Sequence, residues 1–180
     1  MRYLVLVAGA TLWLVFAVSA VSKIRTRAAY AAFVASTGRL LPAGSRWVRQ
    51  AALLVVVAEV AVVVLLPVLP ALGLAIAAVL LAAFTVAIAG AVRRGVTAPC
   101  RCFGSSARPL GVAQAVRNGV LAVLATGGAA GAVAVPDVLA GAHPAGVAIA
   151  ALGALVLAVL TISFDDVADL LTGSPAVDRT

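Results

Sequence analysis

Charge is scarce in this chain: Asp, Glu, Lys and Arg make up 11% of 180 residues, against 64% hydrophobic ones. With a mean hydropathy of +1.21, that ratio excludes an ordinary soluble domain. The sequence holds one histidine, His143, and two cysteines, too few ligands for a metal centre to be read from spacing. No paired carboxylates, glycine-rich phosphate loop or Ser/His/Asp arrangement occurs, so hydrolase and phosphoryl-transfer chemistry have no support. Aromatics are only 5% and do not interleave with a basic stripe. The net charge of +7 therefore does not describe a nucleic-acid surface.

What the chain has in abundance is long apolar runs. Runs of roughly 17 to 25 apolar residues cross a hydrocarbon core about 30 Å thick. Five are present: Tyr3 to Ser22, Gln50 to Leu66, Ala71 to Val92, Val112 to Val135, and Ala145 to Phe164. They must be helices, because an open strand would leave unpaired backbone groups in lipid. The fold class is an all-α integral membrane protein, a bundle of four to five transmembrane helices. Residues 1–135 form a four-helix membrane domain, 136–164 an additional transmembrane helix, and 165–180 a short acidic tail that is disordered. "LPVLP" at 66–70 reads as the tight turn between the second and third spans.

The first run also admits a secretory signal, with "MR" as its n-region and "VSA" at 18–20 as a cleavage site. Against that, the n-region is weak and the chain continues into "SKIRTRAAYAAFVASTG". There Tyr30, Phe33 and Val34 fall at i, i+3 and i+4, between Arg27 and Gly38. That spacing predicts a short helix lying in the membrane interface; the alternative is a solvated basic loop. Trp47, between Arg46 and Arg49, would anchor the start of the second span.

The basic residues cluster. Lys23, Arg25, Arg27, Arg39, Arg46 and Arg49 fill the first connection and Arg93, Arg94, Arg101 and Arg108 the third, while the second and fourth carry no Lys or Arg. By the positive-inside rule the first and third connections face the cytoplasm, where these residues meet anionic membrane lipids. The cysteines then lie on the cytoplasmic side, where disulfides are catalytic or transient. Either the rule misleads here or the pair cycles.

Polar residues within the spans are few. Glu59 sits near the midplane of the second span, where an unpaired carboxylate costs several kcal/mol. Arg117 and Asn118 lie one to two turns into the fourth span. Arg117 either snorkels to the interface or pairs with Glu59 across helices. Ser19, Ser22, Thr85 and Thr126 read as routine helix–helix hydrogen bonders, and "GGAAG" at 127–131 offers a small-xxx-small packing spacing.

The most specific local chemistry is "TAPCRCFGSS" at 97–106. A thiolate, not a thiol, attacks a disulfide, and nearby positive charge favours the thiolate. Arg101 stands between Cys100 and Cys102, with Arg93, Arg94 and Arg108 close by. One intervening residue closes a small ring, so a Cys100–Cys102 disulfide would be strained and readily reduced. Pro99 and Gly104 suit a tight turn that holds the pair outward, and Phe103 would seat it on the membrane. The competing readings are two inert thiols in a packed turn and a two-thiolate Cu(I) site. His143, between Ala142 and Pro144, reads as a loop residue.

The combination of "SAVSKIR" closing the first span, "AYAAFVASTGRLLP" after it, Glu59 in the second span, "CRCFG" after the third and "VRNG" early in the fourth resembles the MauE family, which belongs with the DoxX-like membrane proteins. The resemblance covers roughly residues 3 to 135. It implies that Cys100 and Cys102 are a redox pair, accompanied by polar positions Lys23, Glu59, Arg117 and Asn118. It further implies an accessory of methylamine utilisation, helping to process, export or mature the disulfide-rich small subunit of methylamine dehydrogenase beside a thioredoxin-like partner.

The enzymatic reading is a membrane thiol–disulfide oxidoreductase. Two other classes stay open: a structural membrane subunit that recruits a client, and a small-solute permease built on the mid-span carboxylate. No cofactor is evident in the sequence, although with one cysteine pair onward electron transfer needs another protein or a quinone.

Overall fold

The computed structural model describes residues 1–40, 46–95, 112–135, 137–138 and 140–163. Helices form almost all of it, and the described residues contain no strand. In chain order they are α1 (Arg2–Ile24), α2 (Arg27–Leu40), α3 (Val48–Val68), α4 (Pro70–Arg93), α5 (Val112–Ala134) and α6 (Pro144–Ile162). All but α2 are long and apolar enough to cross a membrane, which makes this a multi-pass membrane protein. Their bounds fall within two residues of the predicted ones, since backbone groups in lipid can be satisfied only by continuing the helix to the interface. The acidic tail lies outside the described residues.

α1 is the central element. Val5, Ala8, Leu12, Val15, Phe16, Ser19, Ala20 and Lys23 are all buried, and the helix packs against α3, α5 and α6. α1 thus supplies a core strip to three other helices. α6 lies along α1 through Ala150, Ala154 and Ala158, and Thr11 Oγ1 donates to the Ala154 carbonyl at 3.4 Å. At the far end from Lys23, Gly146 faces the Tyr3 ring so closely that a Cβ would come within 2.6 Å of it.

The turn between α3 and α4 differs from the expectation. α3 runs through Pro67, and Leu69 alone separates it from Pro70 at the start of α4. A residue before proline is pushed out of the helical region, and Leu69 has φ −132° and ψ 73°; proline at the first helical position then restarts the helix. Pro67 has no N–H to give the Val63 carbonyl one turn back. Trp13 of α1 donates its indole N–H to that carbonyl at 3.0 Å. A tryptophan thus replaces the missing backbone bond where no water is at hand to do so.

Removing that donor has a calculable consequence. Trp13→Phe is expected to cost about 1–3 kcal/mol by stranding the carbonyl. In a Pro67→Ala background, where the backbone N–H returns, the same change should cost measurably less. Denaturant unfolding of the four proteins in mixed micelles checks the cycle, and equal costs in both backgrounds would contradict it.

The helix predicted after the first span is present as α2, so residues 27–40 are not a loop. Its apolar face is turned to the protein: Phe33 is buried and Tyr30 and Val34 half-buried, packed on Ala52 and Val56 of α3. Its C-terminal Leu40 packs on Ile88 and Ala91 of α4, and its carbonyl accepts from Arg94 Nη2 at 2.7 Å. α2 therefore straddles one end of the bundle, the end that carries the basic residues. Trp47 is exposed there, with the Arg46 guanidinium 5.4 Å from its ring centre.

The small-residue segment at 127–131 is used in an unexpected register. A Cβ on Gly128 would meet Ala8 and Leu74 and one on Gly131 would meet Val5, while one on Gly127 would meet nothing within 4 Å. Close approach of α5 to α1 rests on the i, i+3 pair rather than on residues four apart.

Candidate functional site

The basic end of the bundle contains a buried polar layer. Ser19 and Lys23 are one turn apart on the same face of α1, and Glu59 points at them from α3. All three are almost fully buried, at 1%, 2% and 1% exposure. Lys23 Nζ lies 2.8 Å from Glu59 Oε1 and 3.0 Å from Oε2. It also donates to Ser19 Oγ at 2.6 Å and to the Ser19 carbonyl at 3.4 Å. Ser19 Oγ in turn donates to Glu59 Oε1 at 3.0 Å. The ring of Phe33 on α2 closes the arrangement, 5.1 Å from the ammonium.

Burying a lone charge at this depth is prohibitive, but each charge here is met by the other and by further hydrogen bonds, the condition under which a buried pair is tolerated. The helix geometry delivers it: a side chain leans toward its own helix N-terminus, so Lys23 near the end of α1 reaches inward rather than out to the interface.

Glu59 therefore pairs with Lys23, and the pairing with Arg117 is not formed. Arg117 is 8% exposed and donates through Nη1 to the Thr161 carbonyl of α6 at 3.5 Å, so it joins α5 to α6 instead. The reason is rotational: 117 and 59 face different neighbours around the bundle. Gln114 and Asn118 of α5 are also buried, at 4% and 0% exposure. Among the described residues neither amide atom of Asn118 has a hydrogen-bond partner.

Of the site residues expected from sequence, Lys23 and Glu59 are thus brought together, and Arg117 and Asn118 are buried on α5. Cys100, Cys102 and Arg101 lie outside the described residues. α4 ends at Arg93 and α5 begins at Val112, both at the basic end, where Leu40, Ile88, Ala91 and Ala115 pack together. His143 acts as the N-cap of α6, its Nδ1 accepting from the Ala145 N–H at 3.3 Å. Sequence reasoning missed Gln114, Trp13 and the role of Phe33. A signal for the second was present, since a proline inside a membrane helix calls for a donor to the carbonyl four residues before it.

No curated protein and no solved structure matches the chain. A family model described as methylamine utilisation protein MauE matches residues 1–133. That span takes in α1 to α4, nearly all of α5, and the sequence positions of both cysteines.

Proposed function

The chain belongs to the MauE family, and from that premise we propose that it is an accessory protein of the plasma membrane that carries out thiol–disulfide exchange for client proteins, with methylamine utilisation as its setting. The observation that carries the reading is the composition of the matched segment. The chain's only two cysteines stand one residue apart around Arg101, where positive charge favours the reactive thiolate. The polar layer of Ser19, Lys23 and Glu59 braces α1 against α3, and α2 packs over it through Phe33.

In the proposed exchange a thiolate of Cys100 or Cys102 attacks the disulfide of a thioredoxin-like partner. A mixed disulfide forms, the partner's other sulfur leaves as a thiolate, and the neighbouring cysteine resolves the intermediate. The reaction is reversible. When a Cys100–Cys102 disulfide is attacked by a partner thiolate, the same intermediate passes a disulfide to the partner.

Single Cys100→Ser and Cys102→Ser variants test this. One of them should accumulate a mixed disulfide with the partner on non-reducing gels, because the resolving sulfur is gone, and the double variant should show none. A partner adduct that persists in the double variant would overturn the reading. A second reading, a structural subunit that holds a client in the membrane, is favoured by the saturated Lys23–Glu59 pair. It predicts silent cysteine replacements and an assembly weakened by Glu59→Gln.

A further inference from the structure

At the end of the bundle away from Lys23, the helices leave a groove of about 390 Å³ between α1 and the turn that joins α3 to α4. Leu6, Gly9, Ala10 and Trp13 form its α1 wall and Pro67 and Pro70 stand opposite. Val138, from the connection between α5 and α6, completes the lining. The space exists because Gly9 has no side chain, and a Cβ there would meet nothing within 4 Å. Trp13 stands about 10 Å deeper along α1 than Leu6, at 1.5 Å per residue, and the bond from its indole N–H to the Val63 carbonyl holds the ring in place.

The groove opens to the membrane, since Trp13 is 40% exposed and Pro67 is exposed as well. Water is a poor filling: an ordered water needs two to four polar partners, the lining side chains are apolar, and the one N–H among them is already engaged. Left empty, the walls would forfeit their dispersion contacts. A hydrocarbon chain entering from the bilayer supplies those contacts and asks for no hydrogen bond.

Arg2 indicates what that chain is attached to. Residues 2, 6, 9 and 13 follow one another at steps of four and three, so they share a face of α1 and Arg2 stands one turn above Leu6. Its Nη1 lies at the turn of Gly141, 3.4 Å from where a Cβ there would stand, in the same connection that supplies Val138. The start of α1 is tied to that connection, because the His143 N–H donates to Tyr3 Oη at 3.2 Å. Among the described residues the Arg2 guanidinium makes no hydrogen bond or ion pair. Asp137, the only described carboxylate at this end, is exposed and does not pair with it.

We propose that the groove binds a phospholipid, with one acyl chain lying along α1 from Leu6 to Trp13 and the phosphate held by Arg2. A guanidinium gives phosphate a two-pronged, charge-assisted contact, and a cation above an apolar groove is the complement of an anion that carries a hydrocarbon tail. By the distribution of basic residues this end faces away from the cytoplasm, so the lipid comes from the outer leaflet. The site lies at the opposite end of the bundle from Arg93 and Val112, between which both cysteines fall in the sequence, and it stands apart from the exchange reading.

The test uses the full chain carrying Trp47→Phe, which leaves Trp13 as the sole tryptophan, delipidated in detergent micelles. The probe is phosphatidylglycerol with dibrominated acyl chains, which quench an indole on contact. Quenching of Trp13 should saturate at about one lipid per protein. Gly9→Leu puts a side chain into the groove and should remove the saturable phase, while thermal stability stays equal or rises because glycine is a poor helix former. Arg2→Gln should weaken binding about tenfold or more, the loss of hydrogen bonds to a charged group, with the quenching at saturation unchanged because the chain still reaches Trp13. A brominated fatty alcohol, which lacks the phosphate, should bind with and without Arg2→Gln equally weakly.

Quenching that never saturates and ignores Gly9→Leu would overturn the proposal, by showing that Trp13 meets only bulk lipid or detergent. Equal phosphatidylglycerol affinity in Arg2→Gln would overturn the placement of the phosphate. Dissociation of a dimer by Gly9→Leu, followed by sedimentation in the same detergent, would also overturn it, by giving the groove to a second copy of the chain.

Discussion

Lys23→Met is expected to destabilise the folded bundle by about 3–5 kcal/mol, the range for removing one partner of a buried ion pair. The methionine fills nearly the same volume, so the cost is electrostatic: Glu59, 1% exposed, is left to carry an uncompensated charge or to neutralise by taking up a proton, with the Ser19 hydroxyl, 3.0 Å away, as its remaining partner among the described residues. Lys23→Met combined with Glu59→Leu should recover most of that loss, because two apolar residues need no compensation. The single variants must therefore be strongly non-additive. Denaturant unfolding in mixed micelles, followed by far-ultraviolet circular dichroism, measures all three. A single-variant cost below about 1 kcal/mol, the level of an exposed pair, or a double variant as unstable as the sum of the singles, would show that the pair is not buried as described.

Gly73→Val should cost about 3 kcal/mol, at or beyond the upper end of the range for overpacked sites. A Cβ at this position would stand 2.8 Å from the Leu66 nitrogen, 2.9 Å from its Cα and 3.1 Å from the Leu65 carbonyl carbon. All three are backbone atoms of α3, held by the single-residue connection at Leu69, so neither helix can yield without opening the turn. Gly127→Ala is the control. Nothing lies within 4 Å of that position, and the change should stay within about 0.5 kcal/mol. Thermal unfolding of both variants in one detergent gives the comparison, and equal effects would contradict the assigned packing.

The spans were legible in the sequence because hydrocarbon thickness dictates run length, and little else competes with it in "ALLVVVAEVAVVVLL". Rotation about each helix axis was not legible. When lipid-facing and core-facing positions are both Ala, Val and Leu, no polar stripe tells them apart, so Gly127 and Gly128 look alike although only one packs on α1.

The same ambiguity hid the partner of Glu59. Lys23 stands at the end of its helix, where a lysine can also reach outward, and the inward lean of its side chain is held by Ser19 one turn before it, Glu59 across from it and Phe33 of α2 above it. The apolar face of α2 was visible as Tyr30, Phe33 and Val34, but its direction was not, since packing on α3 and seating in lipid demand the same residues. Asn118 was noticed as a polar residue in a span. That its amide goes unpaired is a property of its neighbours, which no local pattern carries.

The central claim is that Cys100 and Cys102 exchange electrons with another protein, and their redox state in living cells tests it most directly. Cells grown under oxidising and reducing conditions are quenched in acid, alkylated, and both sulfurs read by mass spectrometry. The account predicts that the fraction joined as a Cys100–Cys102 disulfide rises under oxidation, falls under reduction, and passes through a partner adduct. Both sulfurs fixed in a single state under every condition would contradict it.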